Sequence, residues 1–278
     1  MIPIRDHNPA HHTPFVTYVL IAANVAIFLF TQMQPDDGER IVWMYGFVPA
    51  TLTYEPEQVR DALQRRADMQ RPMMVRDRAG NVRVIVQRSF AREATAVPPS
   101  IRLLTCMFLH GGWLHLLGNM LYLWIFGNNI EDRLGHLVFL VFYLVTGVLG
   151  TLAHTFLDMQ GLVPLVGASG AISGVLGAYI WLYPHTRVEA IVPIGWYITT
   201  VDLPAWVFLG IYAILQVLNG LPALSSTSTG GVAYWAHIGG FAAGLLLILV
   251  LPKRDAARPL ARPANVDGDE DDFPFFGR

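Results

Sequence analysis

Charge is scarce in this sequence. Asp, Glu, Lys and Arg together make up 14% of its 278 residues, while 53% are hydrophobic. A soluble domain carries about 25% charged residues. That deficit, with a mean hydropathy of +0.42, excludes an ordinary soluble protein and points to a multi-span membrane protein. The formal net charge is −2, which leaves no electrostatic case for a nucleic-acid partner. Cysteine is nearly absent: Cys106 alone excludes an internal disulfide framework and reads as core packing. The N-terminus, Met1 to Pro14, lacks the charged, then apolar, then small-residue pattern of a cleaved signal. The first apolar run is therefore expected to stay as a span.

What the chain does contain is long apolar runs. Six are long enough to cross a bilayer, near 15–33, 103–126, 137–158, 165–183, 204–222 and 231–252, given about 20 residues per helical span. The expected fold is an all-α polytopic membrane protein, a six-transmembrane-helix bundle over 15–252 between an N-terminal tail, 1–14, and a C-terminal tail, 253–278. The segment 34–102 holds most of the arginines, interleaved with acids. It reads as a long water-side loop, with an amphipathic helix near Pro56–Gln70 and a short strand at Val82–Val86. The final tail is Pro-rich, then acidic, and is expected to be disordered. Its acids, Asp267 to Asp272, lack the closing bidentate Glu of a calcium loop.

Short loops set the orientation. Arg133 and Arg187 lie in the loops at 127–136 and 184–203, Lys253 and Arg254 follow the last span, and Arg5 lies in the N-terminal tail. The loops at 159–164 and 223–230 carry no Lys or Arg. The positive-inside rule puts both termini in the cytoplasm. The Arg-rich first loop is then outside, as loops beyond about 60 residues are free to be.

Polar residues within spans are costly and mark function. Here they recur on alternate spans: His110, His115 and Asn119 on the second, Ser169 and Ser173 on the fourth, His237 on the sixth. In the orientation above, these spans all enter from outside, and the residues share the outer half of the membrane. Gly167-Ala168-Ser169-Gly170 runs straight into a helix, where backbone N–H groups and the dipole favour developing negative charge. Gly170-xxx-Gly174 and Gly240-xxx-Gly244 permit close approach of the fourth and sixth helices, which brings His237 towards Ser169. An imidazole is the usual base for a serine nucleophile. The outer halves of these spans hold no carboxylate, so a dyad without an orienting Asp is expected. The Ser169 backbone N–H, with Asn119 and His115, supplies donors for an oxyanion. Ser173 is the rival nucleophile, one turn deeper. A metal on His110 and His115 lacks further ligands at suitable spacing. His7, His11 and His12 read as solvated.

The stretches Arg102-Leu-Leu-Thr-Cys-Met-Phe-Leu-His-Gly-Gly-Trp-Leu-His-Leu-Leu-Gly-Asn119, Glu131-Asp-Arg-Leu-Gly135, Gly167-Ala-Ser-Gly170 and Ala236-His-Ile-Gly-Gly240 resemble the rhomboid intramembrane serine proteases, in the six-span prokaryotic form. The resemblance covers about 15–252, with the 54–97 insert outside it. It implies a rhomboid-like bundle in which Ser169 matches the nucleophile, His237 the general base, and His115 and Asn119 the oxyanion site, with His110 an outer polar residue. Glu131 and Arg133 match a structural motif at the cytoplasmic end of the second helix. The implied activity is endopeptidase cleavage of single-span membrane proteins near the outer end of their span, at small residues with helix-weakening neighbours. The fifth helix and the loop at 223–230 match the family's gate and cap. Neither cofactor nor metal is implied; membrane lipid and single-span substrates are the expected partners. The six-span form without a targeting presequence suggests a bacterial inner membrane.

Two positions depart from the family pattern. Ile101-Arg102 stands where Trp-Arg is common, and Ser173 where an aromatic often stacks on the catalytic histidine. The alternatives are a catalytically inactive rhomboid-like membrane chaperone or trafficking factor, and a transporter using the histidines. The first usually loses the serine, the histidine or the Gly-x-Ser-Gly context. The second often shows internal repeats, and none is evident.

Overall fold

A computed structural model describes residues 1–34, 37–69, 73–76, 82–85, 89–194, 197–223 and 232–254. The acidic tail and the loop expected as a cap fall largely outside these residues. Strand β1 (Ile2–Asp6) leads to α1 (Phe15–Gln32), an uncharged helix. The first loop then forms short helices α2 (Gly38–Tyr45), α3 (Ala50–Thr53) and α4 (Pro56–Met69) and a hairpin of β2 (Met73–Arg76) with β3 (Val82–Ile85). Helix α5 (Pro99–Thr105) continues as a 3-10 turn, Cys106–Phe108. Helices α6 (Trp113–Tyr122) and α7 (Asn128–Leu134) are joined without a break by a π-helical turn, Leu123–Gly127. After Gly135, at φ 78°, come α8 (His136–Leu157) and α9 (Ser169–Leu182). A hairpin of β4 (Arg187–Ile194) and β5 (Tyr197–Pro204) precedes α10 (Ala205–Ala223) and α11 (Tyr234–Val250).

The described chain is mostly helical. By length and composition α1, α8 and α10 suffice to cross a membrane, while α9 and α11 are shorter apolar helices. The amphipathic helix and the strand expected in the first loop are present, as α4 and β3.

Two expectations need correction. The fold is not all-α, because β1, β4 and β5 form an antiparallel sheet in the order β1-β4-β5, and β2 pairs with β3. Residues 2–6 are thus an edge strand, and 184–203 is a hairpin rather than an irregular loop. The run at 103–126 is not one helix. Leu109 is extended and Gly111-Gly112 follows, so the long helix starts at Trp113 and reaches Leu134. The N-terminal histidines are exposed, as expected, and two of them also meet carboxylates: the backbone N–H groups of His11 and His12 donate to Asp132, whose carboxylate lies 2.5 Å from His12 Nδ1, and His7 Nε2 is 3.4 Å from Asp202.

Small residues set the packing of α8, α9 and α11. A Cβ added at Gly240 would overlap the carbonyl oxygen of Gly170, and one at Gly244 that of Gly174. A Cβ at Gly150 on α8 would lie 2.6 Å from the Ala236 carbonyl oxygen. The two glycine pairs read from the sequence therefore face each other, backbone against backbone.

The two ends of the bundle differ. At one end Phe47 and Leu165 exchange backbone hydrogen bonds (3.0 and 2.7 Å), and the Ala50 N–H donates to the Gly161 carbonyl (3.0 Å). The first loop therefore lies against the segment leading into α9. Arg102 is wholly buried there and donates to the Ala94 carbonyl (2.5 Å) and the Thr51 hydroxyl (2.7 Å). At the opposite end of α9 the Tyr179 hydroxyl donates to Asp6 of β1 (2.5 Å), so the sheet sits there.

Candidate active site

Ser169 is the first residue of α9. The turn before it depends on Gly167 for two reasons. Its φ is +123°, which only glycine adopts readily. A Cβ there would also lie 2.6 Å from His115 Nε2. The Gly167 N–H donates to the Cys106 carbonyl (2.9 Å), tying the turn to the segment before α6. N–H groups in the first helical turn have no partner within the helix, so this turn presents both a hydroxyl and orphan donors.

His237, in the first turn of α11, reaches this hydroxyl: Nε2 is 2.8 Å from Ser169 Oγ. The glycine contacts described above make that distance possible, because a Cβ at Gly240 or Gly244 would force the helices apart. The other ring nitrogen, Nδ1, is 2.8 Å from Gln216 Oε1 on α10, and Tyr234 stands edge-on to the ring at a centroid distance of 6.4 Å.

His115 and Asn119 lie one turn apart on α6 and both border the Gly167 turn; a Cβ at Gly167 would be 3.6 Å from Asn119 Nδ2. Asn119 Nδ2 is 2.9 Å from His110 Nε2, and the His110 and His115 rings meet edge to face at 5.1 Å. The five polar residues from three sequence regions thus form one cluster. Beside it lies a cavity of about 20 Å³ lined by residues including Gly147, Thr151, Gly167 and Ser169, large enough for about one water molecule.

Ser173 is fully buried and engaged elsewhere. Its hydroxyl donates to the Ser169 carbonyl (2.7 Å) and lies 2.7 Å from the Tyr212 hydroxyl of α10. The sequence reading did not anticipate Gln216, Tyr212 or Tyr234 beside this site. A glutamine inside the apolar run of α10 was the available signal.

Glu131 and Arg133 lie at the far end of the α6–α7 helix. Buried Glu131 accepts from the backbone N–H groups of Val16 (2.8 Å) and Thr17 (2.7 Å) and from the Thr17 hydroxyl (2.7 Å). Arg133 donates to the Arg254 carbonyl, and the Arg254 N–H donates back to the Arg133 carbonyl. Among the described residues, His7, Glu189 and Asp202 bring possible metal-ligand atoms within 4.8 Å of one another, on the sheet remote from Ser169. Arg5 already engages Glu189 at 2.6 Å.

The Rhomboid domain model matches residues 99–254, which span every residue of this cluster. RHOMBOID-like protein 5 of Arabidopsis thaliana is 33% identical over 170 residues, 60% of this chain and 50% of that protein. RHOMBOID-like protein 4 of the same plant is 37% identical over 156 residues, 54% of this chain and 34% of that protein. Rhomboid protein 1, mitochondrial, of Saccharomyces cerevisiae is 30% identical over 165 residues, 58% of this chain and 44% of that protein. The matches thus span half or less of each relative's length.

Proposed function

The chain belongs to the rhomboid family of integral membrane proteins, and from that premise we propose that it is an intramembrane serine endopeptidase. The observation that carries the proposal is the 2.8 Å contact between Ser169 Oγ and His237 Nε2 at the start of a helix. A serine hydroxyl needs a base to become nucleophilic, and here an imidazole nitrogen lies at transfer distance.

In the proposed reaction Ser169 Oγ attacks the scissile carbonyl carbon while its proton passes to His237 Nε2. The carbonyl π electrons move onto oxygen, and the resulting oxyanion is met by the Ser169 backbone N–H, Asn119 Nδ2 and the His115 ring. Collapse of the tetrahedral species re-forms the C=O bond and expels the amine, which takes the proton from His237. Water then attacks the acyl-serine with the same base. The carboxylate product leaves and Ser169 recovers its proton. This scheme needs no cofactor or metal.

The proposed substrates are single-span membrane proteins, cut near the outer end of their span at small residues. In this reading six helices cross the membrane, the second being the continuous α6–α7 helix. Both termini are cytoplasmic, in a bacterial inner membrane. The first loop and Ser169 then share the outer side. The loop charges support the orientation, and so does the placement of the first loop and the sheet at opposite ends of α9.

The test is labelling of the purified protein in detergent with a fluorophosphonate probe, alongside cleavage of a single-span substrate rich in small residues. Ser169→Ala and His237→Ala are expected to abolish both signals, about 10³-fold or more. Ser173→Ala is expected to keep them. Full activity of Ser169→Ala would reject the assignment. A folded wild type that never labels would favour a non-catalytic membrane chaperone.

A further inference from the structure

Resting on that reading, we propose that Gln216 is a positioning residue for His237, acting from α10 as a neutral counterpart of a triad carboxylate. The His237 ring has two nitrogens and both are occupied: Nε2 faces Ser169 Oγ at 2.8 Å and Nδ1 faces Gln216 Oε1 at 2.8 Å. A carboxamide oxygen can only accept. Nδ1 must therefore carry the proton, and Nε2 is left with its lone pair directed at the serine hydroxyl. This is the tautomer a general base requires. Removal of the acceptor leaves the Nδ1–H unsatisfied and lets the ring hold its proton on Nε2 instead, which blocks proton transfer from Ser169.

The same contact acts later in the cycle. When Nε2 takes the serine proton the ring becomes cationic, and the carboxamide dipole already points its negative end at Nδ1–H. A carboxylate would do this more strongly, but it would place a further charge at a site among apolar helices, where an unpaired charge is costly.

The rotation of α10 fixes Gln216 in this role. Tyr212, Gln216 and Gly220 are spaced four apart on one helix face. Each makes a polar contact to the helices that carry the dyad: the Tyr212 hydroxyl lies 2.7 Å from Ser173 Oγ, and the Gly220 carbonyl accepts from Trp235 Nε1 at 3.0 Å, with Gln216 between them. Alignment of the base thus depends on α10 being seated, and any movement of α10 away from α11 removes the acceptor.

The experiment measures fluorophosphonate labelling of the full-length protein in detergent as a function of probe concentration, which separates the limiting rate from probe affinity. Gln216→Leu is expected to lower the limiting rate about 10²-fold with affinity unchanged. Gln216→Glu, which keeps an acceptor oxygen, is expected to recover to within about tenfold of wild type. A purely packing role predicts the reverse order, because a buried carboxylate disturbs an apolar interface more than leucine does. Tyr212→Phe, which loosens α10 but leaves the acceptor, is expected to change the rate less than Gln216→Leu. Should Gln216→Leu not fold, Gln216→Met against Gln216→Glu gives the same ordering test. Wild-type rates in the leucine or methionine variant, or glutamate falling below it, overturn the positioning role while wild-type labelling upholds the dyad. A folded wild type that does not label at Ser169 overturns both.

Discussion

At the scale of single residues, the site rests on what is missing from side chains as much as on what is present. Gly240 and Gly244 carry no Cβ, so α11 approaches α9 until the carbonyl oxygens of Gly170 and Gly174 fill the positions where Cβ atoms would be. The 2.8 Å dyad contact follows from that approach. Gly244→Ala is therefore expected to lower the melting temperature in detergent, at a cost of about 2 kcal/mol for an overpacked interface, and to depress serine labelling as the helices separate. Gly210→Ala on α10 is the comparison, since a Cβ there has nothing within 4 Å, and its melting temperature should match wild type. Equal melting of the two variants would show that the glycine contact does not set the spacing. Residue identities of this kind were legible in the sequence, because small residues at four-residue spacing have a definite meaning in an apolar helix. Gln216 was not. Its role depends on which way α10 is rotated, and a single polar residue in an apolar run does not specify the helix it will face.

At the scale of elements, the helix ends explain how α6–α7 and α1 are held. Pro14 precedes α1 and provides no side-chain cap. Glu131 does so from another helix: Oε2 takes the Thr17 N–H and hydroxyl, and Oε1 takes the Val16 N–H and lies 2.5 Å from His136 Nδ1. A carboxylate at a helix N-terminus gains from both orphan donors and the dipole. Glu131→Ala is expected to cost about 3 kcal/mol, read as a lower melting temperature, with Glu131→Gln intermediate because one amide oxygen still accepts. An unchanged melt for both would mean that α1 is held by apolar packing alone. The apolar helices were legible as elements, since composition and length suffice to mark them. The break at Leu109–Gly112 was not, because the apolar run continues across it and only the paired glycines hint at a turn. The sheet was missed for a different reason: β1 is separated from β4 by about 180 residues of sequence, and strand pairing over that distance leaves no local signature.

At the scale of the whole molecule, α9 links two unlike ends. Its 14 residues, roughly 21 Å at about 1.5 Å each, run from Ser169 to the sheet that gathers β1, β4 and β5. There the carboxylate of Asp6 accepts from the Tyr179 hydroxyl (2.5 Å) and the Asn129 amide (2.8 Å), joining the N-terminal strand to α9 and α7. Burial pushes the Asp6 carboxyl up to about 6 from an ordinary 3.8, against the opposing pull of Tyr179, the backbone, His7 and Asn129. A carboxyl group whose pKa rises on folding binds its proton more tightly in the native state. Its contribution to stability is thus present below about pH 4 and lost as the pH climbs through about 6. Asp132 at the same end has the opposite sign: burial alone would raise it, but the His12 ring and the His11 and His12 N–H groups hold it below the usual range. The two effects overlap in a simple pH titration of stability. Asp6→Asn separates them, because an amide oxygen can accept from both Tyr179 and Asn129 without ionising. The difference in melting temperature, wild type minus Asp6→Asn, is expected to fall between about pH 4 and about pH 6 and to be flat above. A difference that rises over that interval would mean that the folded protein prefers the ionised carboxylate, and that β1 is held as the partner of a charge instead of through a neutral hydrogen-bonded junction.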